Sequence, residues 1–241
     1  MKFKYVTLTD IGLKRTDNED SFGVFETEGG LLAVVCDGLG GNKAGDIASK
    51  LAVQAISKTF TTLKGAEYLE RIRFSILEAN KIVIDESNKD FDRKGMATTV
   101  EVLFLKDDNA YWGHVGDSRI YYLKNNKLKQ LSKDHSLVQK LIDEGYLTLK
   151  EAENHPNKNI IMRALGDSNS LEVDLSKIKI NPDDPGKFFV CTDGVTTVVN
   201  DSELEKLLEN KNIHYISEMI ANLVEKRGAP DNYTFVIIAK S

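Results

Sequence analysis

The sequence predicts an α+β fold in which β-strands form the centre and amphipathic helices pack outside them. Apolar runs of six or seven residues recur, as at 31–36 and 233–239, and runs of this length are typical of buried strands. Two longer stretches, 45–63 and 66–89, place apolar residues at helical spacing instead. No Pro- or Ser-rich linker and no repeat interrupts the chain, so we expect one domain spanning 1–241.

The first half of the chain supplies most of the predicted strands. The run at 31–36 is apolar throughout and is expected to be buried on both faces. Residues 11–20 are too polar for a core strand and are predicted to form a loop. Turn-forming residues separate the later runs, which therefore predict an antiparallel meander. The predicted strands of this half are 3–8, 21–26, 31–36, 98–105, 110–115, 119–123 and 128–131.

A helical segment then interrupts the strands. Capping boxes at Ser136-x-x-Gln139 and Thr148-x-x-Glu151 predict short helices over 136–144 and 148–154. We expect the whole segment 132–168 to lie over one end of the sheet, and we call it the flap. After it we predict strands at 171–180, 188–191 and 233–239, a helix opened by Ser202-x-x-Glu205 and ending near 209, and a helix over 213–226.

Composition excludes several classes of protein. The net charge is −5 with dispersed Lys and Arg, which argues against a broad nucleic-acid surface. No apolar run approaches the roughly 20 residues that span a bilayer, and no signal-peptide core follows the start, so a cytoplasmic protein without membrane contact is predicted. Cys36 and Cys191 are expected to be core thiols, although neighbouring strands could bring them within disulfide range.

Acidic residues follow three apolar runs. Asp37-Gly38 and Asp193-Gly194 end two of them, and Asp117-Ser118 follows the third. Taken singly, an Asp-Gly pair more often forms a turn than a metal site. Because Asp17–Asp20 and Asp231 add further acidic groups, we expect these residues to converge on bound metal.

The types of ligand indicate which metal and which reaction. Carboxylates without a Cys-x-x-Cys or His-Glu-x-x-His motif favour Mg²⁺ or Mn²⁺ over zinc. Two such ions sharing a carboxylate could activate a bridging water and hold a phosphoryl oxygen. The sequence has neither a Gly-x-Ser-x-Gly elbow nor a nucleotide-binding P-loop. Hydrolysis of a phosphate ester is therefore the predicted chemistry.

A set of motifs covering nearly the whole chain carries a family resemblance. The motifs are Arg15-x-x-Asn18-Glu19-Asp20, Asp37-Gly38-x-Gly40-Gly41, Gly95-x-x-Thr98-Thr99, Gly116-Asp117-Ser118-Arg119, Thr192-Asp193-Gly194 and Asp231-Asn232. In this order they resemble the metal-dependent protein serine/threonine phosphatases of type 2C, and 134–166 resembles the compact bacterial members with a mobile flap. The resemblance implies a four-layer α/β-β/α sandwich, with two central, mostly antiparallel sheets flanked by helix pairs.

The same resemblance implies a set of metal ligands. Asp37 would bridge two metal ions, and the carbonyl of Gly38 would complete the shell of one. Asp193 and Asp231 would hold the other ion. Asp117 would form a weaker third site with Asp193, although from the residues alone it could equally cap the hairpin that follows its strand.

Further roles are implied around these ligands. Glu19 and Asp20 would orient metal-bound water, and Arg15 would grip the substrate phosphate, although without the resemblance we would interpret Arg15 as a solvated surface residue. Asp37, Asp193 and Arg15 are the predicted catalytic residues. Leu39 stands where animal and plant relatives carry a histidine, which excludes a histidine general acid there. A second departure is Thr196-Thr197, where relatives usually show an Asp.

The predicted function is hydrolysis of phosphoserine and phosphothreonine in proteins by attack of a metal-bridging water. Two alternatives remain open from the sequence: a phosphoprotein-binding module that kept the fold but little catalysis, and a phosphatase dedicated to one regulatory protein. The predicted partners are phosphorylated proteins and a cognate kinase. We expect a monomer that binds no nucleic acid.

Overall fold

The computed structural model describes residues 3–27, 29–40, 44–153, 155–168, 170–181 and 186–240. Gly41 of the Asp-Gly-x-Gly-Gly motif and Asn154 at the end of a predicted helix lie outside these ranges. The strands are β1 (Phe3–Asp10), β2 (Ser21–Thr27), β3 (Gly30–Cys36), β4 (Gly38–Leu39), β5 (Ala97–Thr98), β6 (Val100–Lys106), β7 (Asn109–Val115), β8 (Arg119–Lys124), β9 (Lys127–Gln130), β10 (Asp174–Lys179), β11 (Lys187–Cys191) and β12 (Tyr233–Lys240). The α-helices are α1 (Ala44–Thr62), α2 (Tyr68–Ser87), α3 (Leu137–Asp143), α4 (Leu149–Glu153), α5 (Asp193–Thr196), α6 (Asp201–Leu208) and α7 (Ile213–Lys226).

Two five-stranded antiparallel sheets form the centre. The first sheet has the order β1-β12-β11-β8-β9, and the second has the order β10-β7-β6-β3-β2. In the second sheet β3 pairs with β6 from Leu31↔Leu105 to Val35↔Glu101. A separate two-stranded ribbon, β4-β5, pairs Gly38 with Thr98.

The apolar core is divided into three layers, which together place the helices outside the sheets. One cluster lies between the two sheets, a second joins the second sheet to α1 and α2, and a third joins the first sheet to α5, α6 and α7. Strand β3 contributes to two of them, since alternate side chains of a strand face opposite ways. Leu32, Val34 and Cys36 face the helices, and Leu31, Ala33 and Val35 face the other sheet. The predicted α+β sandwich with helix layers outside its sheets is confirmed.

The predicted meander is wrong at one point. Strands β6 and β7 pair in the second sheet, but β8 and β9 pair in the first. The chain crosses between sheets at Gly116–Ser118, where Gly116 has φ +115°. That left-handed backbone conformation suits glycine. The crossing places Asp117 at the junction of the sheets instead of in a hairpin turn.

Several element boundaries differ from the sequence-based ones. Helix α6 is capped by Asn200, whose side chain forms a reciprocal capping box with Glu203, so the predicted Ser202-x-x-Glu205 cap is wrong. The short helix α5, which begins at Asp193, and the 3₁₀ turn Phe91–Arg93 were not predicted. The predicted strand 171–180 is shorter, since β10 covers only Asp174–Lys179.

The two cysteines are free and buried. Cys36 faces the helices on the second sheet, whereas Cys191 faces those on the first sheet. The full sandwich therefore separates their side chains, and the disulfide left open by the sequence does not form. Among the described helices, none is long and apolar enough to cross a membrane.

Candidate active site

The acidic residues gather where strands end or the chain crosses between sheets. Asp37 follows β3, Asp193 begins α5 directly after β11, and Asp231 precedes β12. Residues 11–20 cross from β1 in the first sheet to β2 in the second. Both sheets thus contribute carboxylates to one edge of the sandwich, as the sequence predicted.

Close backbone contacts explain the glycines of both Asp-Gly pairs. A Cβ on Gly38 would lie 2.3 Å from the carbonyl oxygen of Gly45 and 2.5 Å from that of Glu19. A Cβ on Gly194 would lie 1.9 Å from the carbonyl oxygen of Asn232. Neither glycine is among those with a positive φ. These pairs are therefore packing points between converging segments and not left-handed turns.

Asn232 fixes the loop that carries the acidic motif. Its Oδ1 accepts a hydrogen bond from the Glu19 N–H at 2.9 Å. Its Nδ2 donates to the carbonyl oxygens of Ile11 and Asp17 at 2.9 and 3.0 Å. The Gly38 N–H in turn donates to the Glu19 carbonyl oxygen at 3.1 Å. One amide side chain thereby ties the 11–20 loop to the start of β12 and holds it beside Gly38.

Thr99 and Thr192 hold the acidic residues in place, and sequence reasoning assigned neither a role. The Thr99 hydroxyl accepts from the Asp37 N–H at 2.9 Å and shares a 2.8 Å hydrogen bond with Ser118. The Thr192 hydroxyl donates to Asp20 Oδ2 at 2.8 Å. Both threonines are fully buried. Both threonines belong to motifs of the resemblance, Gly95-x-x-Thr98-Thr99 and Thr192-Asp193-Gly194, and this membership was the available signal.

The carboxyl groups repel one another. Burial raises the pKa of Asp37 well above its usual value, and the charges of Asp20, Asp193 and Asp117 raise it further. Burial and then Asp193 raise the pKa of Asp117 to about 8. Burial also raises the pKa of Asp20 to about 7, against hydrogen bonds from threonines. Burial and then the charge of Asp231 raise the pKa of Asp193 as well, against an interaction with Asp37 that lowers it.

This cluster suits a hard cation. Asp20 Oδ1 and Asp117 Oδ1 are buried and have no hydrogen-bond partner among the described residues, and such atoms are costly unless something pairs with them. The donors are carboxylate oxygens, which Mg²⁺ and Mn²⁺ prefer. However, no three His, Cys, Asp or Glu side chains of the described residues are placed as a ready-made metal site.

Arg15 explains in part why the carboxylates of the described residues are not arranged as a ready-made metal site. Its guanidinium donates to Asp231 Oδ2 at 2.7 Å, and Asp231 Oδ1 accepts from the Asn232 N–H at 2.8 Å. Asp231 is therefore held toward Arg15. The same ion pair raises the pKa of Arg15. About half of the Arg15 side chain is exposed, at 51%, so the guanidinium can also be reached from solvent.

Two histidines in ring contact fasten the start of the flap beside Asp117. His114 contacts the buried Glu101 through Nδ1, and its Nε2 lies 2.8 Å from the carbonyl oxygen of Lys133. The His114 and His135 rings lie 4.4 Å apart, and His135 Nδ1 accepts from the Gly116 N–H at 3.1 Å. The chain entering the flap is therefore attached to the residue before Asp117.

A cleft of about 740 Å³ adjoins the acidic cluster. Its lining includes Asp117 and Asp193 of the cluster, flap residues from α3 and α4, and residues at the ends of the segment from Thr196 to Ser202. Arg119 lies in the cleft and binds Asp134 through two nitrogens, at 3.0 and 2.7 Å. The site is thus open to a ligand much larger than phosphate.

Comparison with known proteins identifies the class. The protein phosphatase 2C family model matches residues 14–231. The serine/threonine phosphatase stp of Listeria welshimeri is 36% identical over 239 residues, which cover 97% of this chain and 94% of that protein. The structure of Stp1 from Staphylococcus aureus superposes with a TM-score of 0.93 at 29% identity, over 100% of this chain and 96% of that one.

A third comparison concerns a structure that contains metal. The catalytic domain of the serine/threonine protein phosphatase PstP, in complex with two manganese ions, superposes with a TM-score of 0.87 at 29% identity. The match covers 98% of this chain and 97% of that one. The chain belongs to the protein phosphatase 2C family, and it is a protein phosphatase.

Proposed function

We propose that this chain removes phosphate from phosphoserine and phosphothreonine residues of proteins in a reaction that depends on divalent metal. The observation that carries the proposal is the gathering of Asp20, Asp37, Asp117 and Asp193 at one edge of the sandwich, where burial raises the pKa of each and neighbouring carboxylates raise it further. A protein without need of a cation gains nothing from holding such charges together. A binding module without catalysis is therefore not favoured.

Each acidic residue receives a proposed part. Asp37 would bridge two ions, with the Gly38 carbonyl on one of them and Asp193 and Asp231 on the other. Asp117 would contribute to a weaker third site with Asp193. The two manganese ions of the PstP structure support this number of core sites. Mn²⁺ and Mg²⁺ both suit the donors, and we propose Mn²⁺ for assays.

The remaining residues prepare the substrate. Glu19 and Asp20 would act through water. The Glu19 carbonyl oxygen is bonded to the Gly38 N–H, and the Asp20 carboxylate is held by the Thr192 hydroxyl. Arg15 would release Asp231 and bind the substrate phosphate with its planar guanidinium. When bound, the cations supply an activated water and neutralise phosphoryl charge. Leu39 pairs with Ala97 in the β4-β5 ribbon and cannot donate a proton to the leaving oxygen.

The biological setting is proposed more broadly. The substrates would be proteins that a cognate kinase has phosphorylated. They would be either many different proteins or one dedicated regulatory protein. We propose a cytoplasmic monomer in which 1–241 act as one domain.

Phosphate release tests the function. The purified chain should hydrolyse an aryl phosphate and a phosphothreonine peptide when Mn²⁺ is added. It should lose this activity in excess chelator and recover it when Mn²⁺ is restored, because carboxylate sites hold such ions with modest affinity. Undiminished turnover in chelator would overturn the metal-dependent proposal.

A further inference from the structure

A carboxylate and an imidazole face each other inside the sandwich, and neither belongs to the proposed metal ligands. Glu101 of β6 and His114 of β7 lie opposite each other in the second sheet, and both residues are fully buried. Glu101 Oε1 contacts His114 Nδ1, whereas Glu101 Oε2 is buried and has no hydrogen-bond partner among the described residues. A buried ionic pair is often no more stable than a well-packed apolar pair. Stability alone therefore does not account for these two residues.

His114 connects the pair to the start of the flap. Its Nε2 lies 2.8 Å from the carbonyl oxygen of Lys133. Two further bonds join the same segments: the His135 N–H donates to the Gly116 carbonyl oxygen at 2.7 Å, and the Gly116 N–H donates to His135 Nδ1 at 3.1 Å. The end of β7 and the start of the flap thus form one unit. Asp117 follows Gly116 directly, so its position depends on that unit.

The bond to Lys133 requires a hydrogen on His114 Nε2, because a carbonyl oxygen can only accept. Nδ1 faces a carboxylate oxygen, so a second hydrogen must lie between those two atoms. If this second hydrogen is lost to solvent, the carboxylate of Glu101 draws the remaining one to Nδ1. Nε2 then presents a lone pair to the Lys133 oxygen, and the bond to the flap is broken.

The neighbouring charges decide the pH at which this hydrogen is lost. Burial lowers the pKa of His114, but Glu101, the Lys133 carbonyl and Asp134 raise it above its usual value overall. The hydrogen is therefore present at neutral pH and is lost at alkaline pH. Burial raises the pKa of Glu101 to about 7, against the effect of His114. A third hydrogen taken up there as the pH falls leaves the Lys133 bond intact, so only the alkaline side affects the flap.

The other groups around the pair do not titrate in its place. Burial raises the pKa of both thiols well above its usual value, and burial, the His114 ring and Arg163 lower that of His135 to about 4. These three groups are therefore uncharged at neutral pH. The titratable and charged groups around the pair, besides its own two members, are Lys133, Asp134 and His135 at the start of the flap, Arg163 near its end, Asp174 of β10, Cys36 of β3 and Cys191 of β11.

We propose that His114 and Glu101 are a positioning pair, which fixes Asp117 and the start of the flap for catalysis only while His114 carries a hydrogen on Nε2. Its effect on the reaction is indirect, since it acts through the end of β7. Catalysis becomes sensitive to alkaline pH in a way that does not depend on which substrate is bound. The inference rests on the proposed function for its kinetic part only.

The chemical shifts of the imidazole nitrogens test the hydrogen count directly. The chain has four histidines, so in the metal-free full chain labelled with ¹⁵N-histidine each ring is assigned by single substitutions. We expect both His114 nitrogens to carry hydrogen at about pH 7 and Nε2 to lose its hydrogen as the pH rises toward about 9.5. In Glu101→Gln the amide can donate to Nδ1, so Nε2 should keep its hydrogen at every pH.

The same variant should change the pH profile of catalysis. With Mn²⁺ and an aryl phosphate, kcat of the wild type should fall between about pH 7 and about pH 9, and that of Glu101→Gln should fall less. The ratio of kcat, variant over wild type, should rise by about three- to ten-fold over that range, which is the effect of one hydrogen bond. Because the pair positions Asp117 and does not bind substrate, KM should be unchanged, and a phosphothreonine peptide should give the same ratio.

Asp174→Asn is the matched control. Asp174 is the other carboxylate opposite His114 in the sheet, but its side chain is 56% exposed and pairs with Arg163. Its substitution removes a neighbouring charge and leaves the contact between Glu101 and His114 in place. Both the loss of hydrogen from His114 Nε2 and the alkaline fall in kcat should therefore remain as in the wild type.

Three outcomes would overturn the inference while leaving the proposed function intact. These are a hydrogen that stays on His114 Nε2 in the wild type throughout the titration, an alkaline fall of kcat in Glu101→Gln equal to that of the wild type, and an effect confined to KM for the peptide. The first is measured on the wild type, so it decides the question even if Glu101→Gln does not fold. Absence of metal-dependent hydrolysis of an aryl phosphate would instead overturn the proposed function, and the nitrogen shifts would still test the pair.

Discussion

Arg15 occupies the place where the proposed phosphate and metal sites meet. Its guanidinium is 2.7 Å from Asp231 Oδ2, and the two residues are separated by 216 positions in the chain. From the sequence we expected Arg15 to grip the substrate phosphate. The ion pair gives Arg15 a second role, because Arg15 competes with a cation for Asp231. Binding of a cation by Asp231, or of a phosphate by Arg15, must weaken or break this ion pair.

Replacement of Arg15 should separate these roles. Arg15→Ala should lower kcat/KM for a phosphothreonine peptide by about ten- to thousand-fold, since charge-assisted hydrogen bonds are worth about 1.5–3 kcal/mol each. Arg15→Lys should recover only part, because an ammonium lacks the planar fork. Calorimetric titration of Arg15→Ala with Mn²⁺ should show unchanged or tighter binding, since Asp231 loses a competing partner.

The control is Arg227→Ala, which removes a similarly half-exposed arginine from a surface ion pair with Glu203. It should leave both kinetics and Mn²⁺ binding as in the wild type. Wild-type kcat/KM in Arg15→Ala would contradict the phosphate role. Much weaker Mn²⁺ binding in that variant would mean that the loop, and not only the guanidinium, had been disturbed.

At the scale of elements, β7 and the flap are joined by the contact between the His114 and His135 rings. The Gly116 N–H donates to His135 Nδ1, so a neutral ring must carry its proton on Nε2, which lies 3.4 Å from Asp174 Oδ2 and 3.1 Å from Arg163 Nη1. A charged ring would direct a second N–H against that of Gly116. Burial, the His114 ring and Arg163 lower the pKa of His135 to about 4, against the attraction of Asp174.

This contact predicts an acid-dependent loss of stability in the metal-free protein. The unfolded chain binds a proton at His135 below about pH 6.5, whereas the folded chain resists it until about pH 4. Stability from this residue is therefore complete above pH 6.5 and declines as the pH falls toward 4, by about 1–3 kcal/mol. In His135→Asn, whose amide oxygen can still accept from Gly116, this part of the decline should disappear.

Urea unfolding across that pH range measures the effect. His214→Asn, on the exposed surface of α7, controls for the removal of any one imidazole. The difference in free energy of unfolding between wild type and His135→Asn should shrink as the pH falls. A constant difference at every pH would show that His135 contributes only packing.

The sequence predicted the positions of strands and helices better than it predicted which strands pair in which sheet. Strand β3 was recognised because six apolar residues in succession fit only a buried strand, and its terminal Asp37 followed from that. The crossing at Gly116 was not predicted, since a turn within one sheet and a crossing between sheets use the same residues. Asn200-x-x-Glu203 matches the capping-box pattern as well as Ser202-x-x-Glu205 does, and the structure forms the first of the two. Local patterns carry no information about a long-range choice such as the crossing at Gly116.

For the molecule as a whole, the carboxylates gathered at one edge of the sandwich repel one another, and this repulsion lowers the stability of the fold. Carboxylates from both sheets are held together by buried hydroxyls and by Asn232, and the core layers fix those sheets in place. The rigidity of the whole sandwich keeps like charges closer than they would remain in a flexible chain. A ligand that neutralises them should therefore stabilise the entire fold and not only one loop.

Thermal unfolding tests this coupling without reference to catalysis. Mn²⁺ at about 100 times its dissociation constant should stabilise the wild type by about 2.7 kcal/mol, which corresponds to a rise in Tm of about 5–10 °C for a domain of this size. Asp37→Asn should unfold at the same or a higher temperature than the wild type without metal, because one of the repelling charges is gone. It should lose most of the shift induced by Mn²⁺. Asp107→Asn, in the exposed β6–β7 turn, should retain the full shift, and an equal shift in Asp37→Asn would place the bound Mn²⁺ away from Asp37.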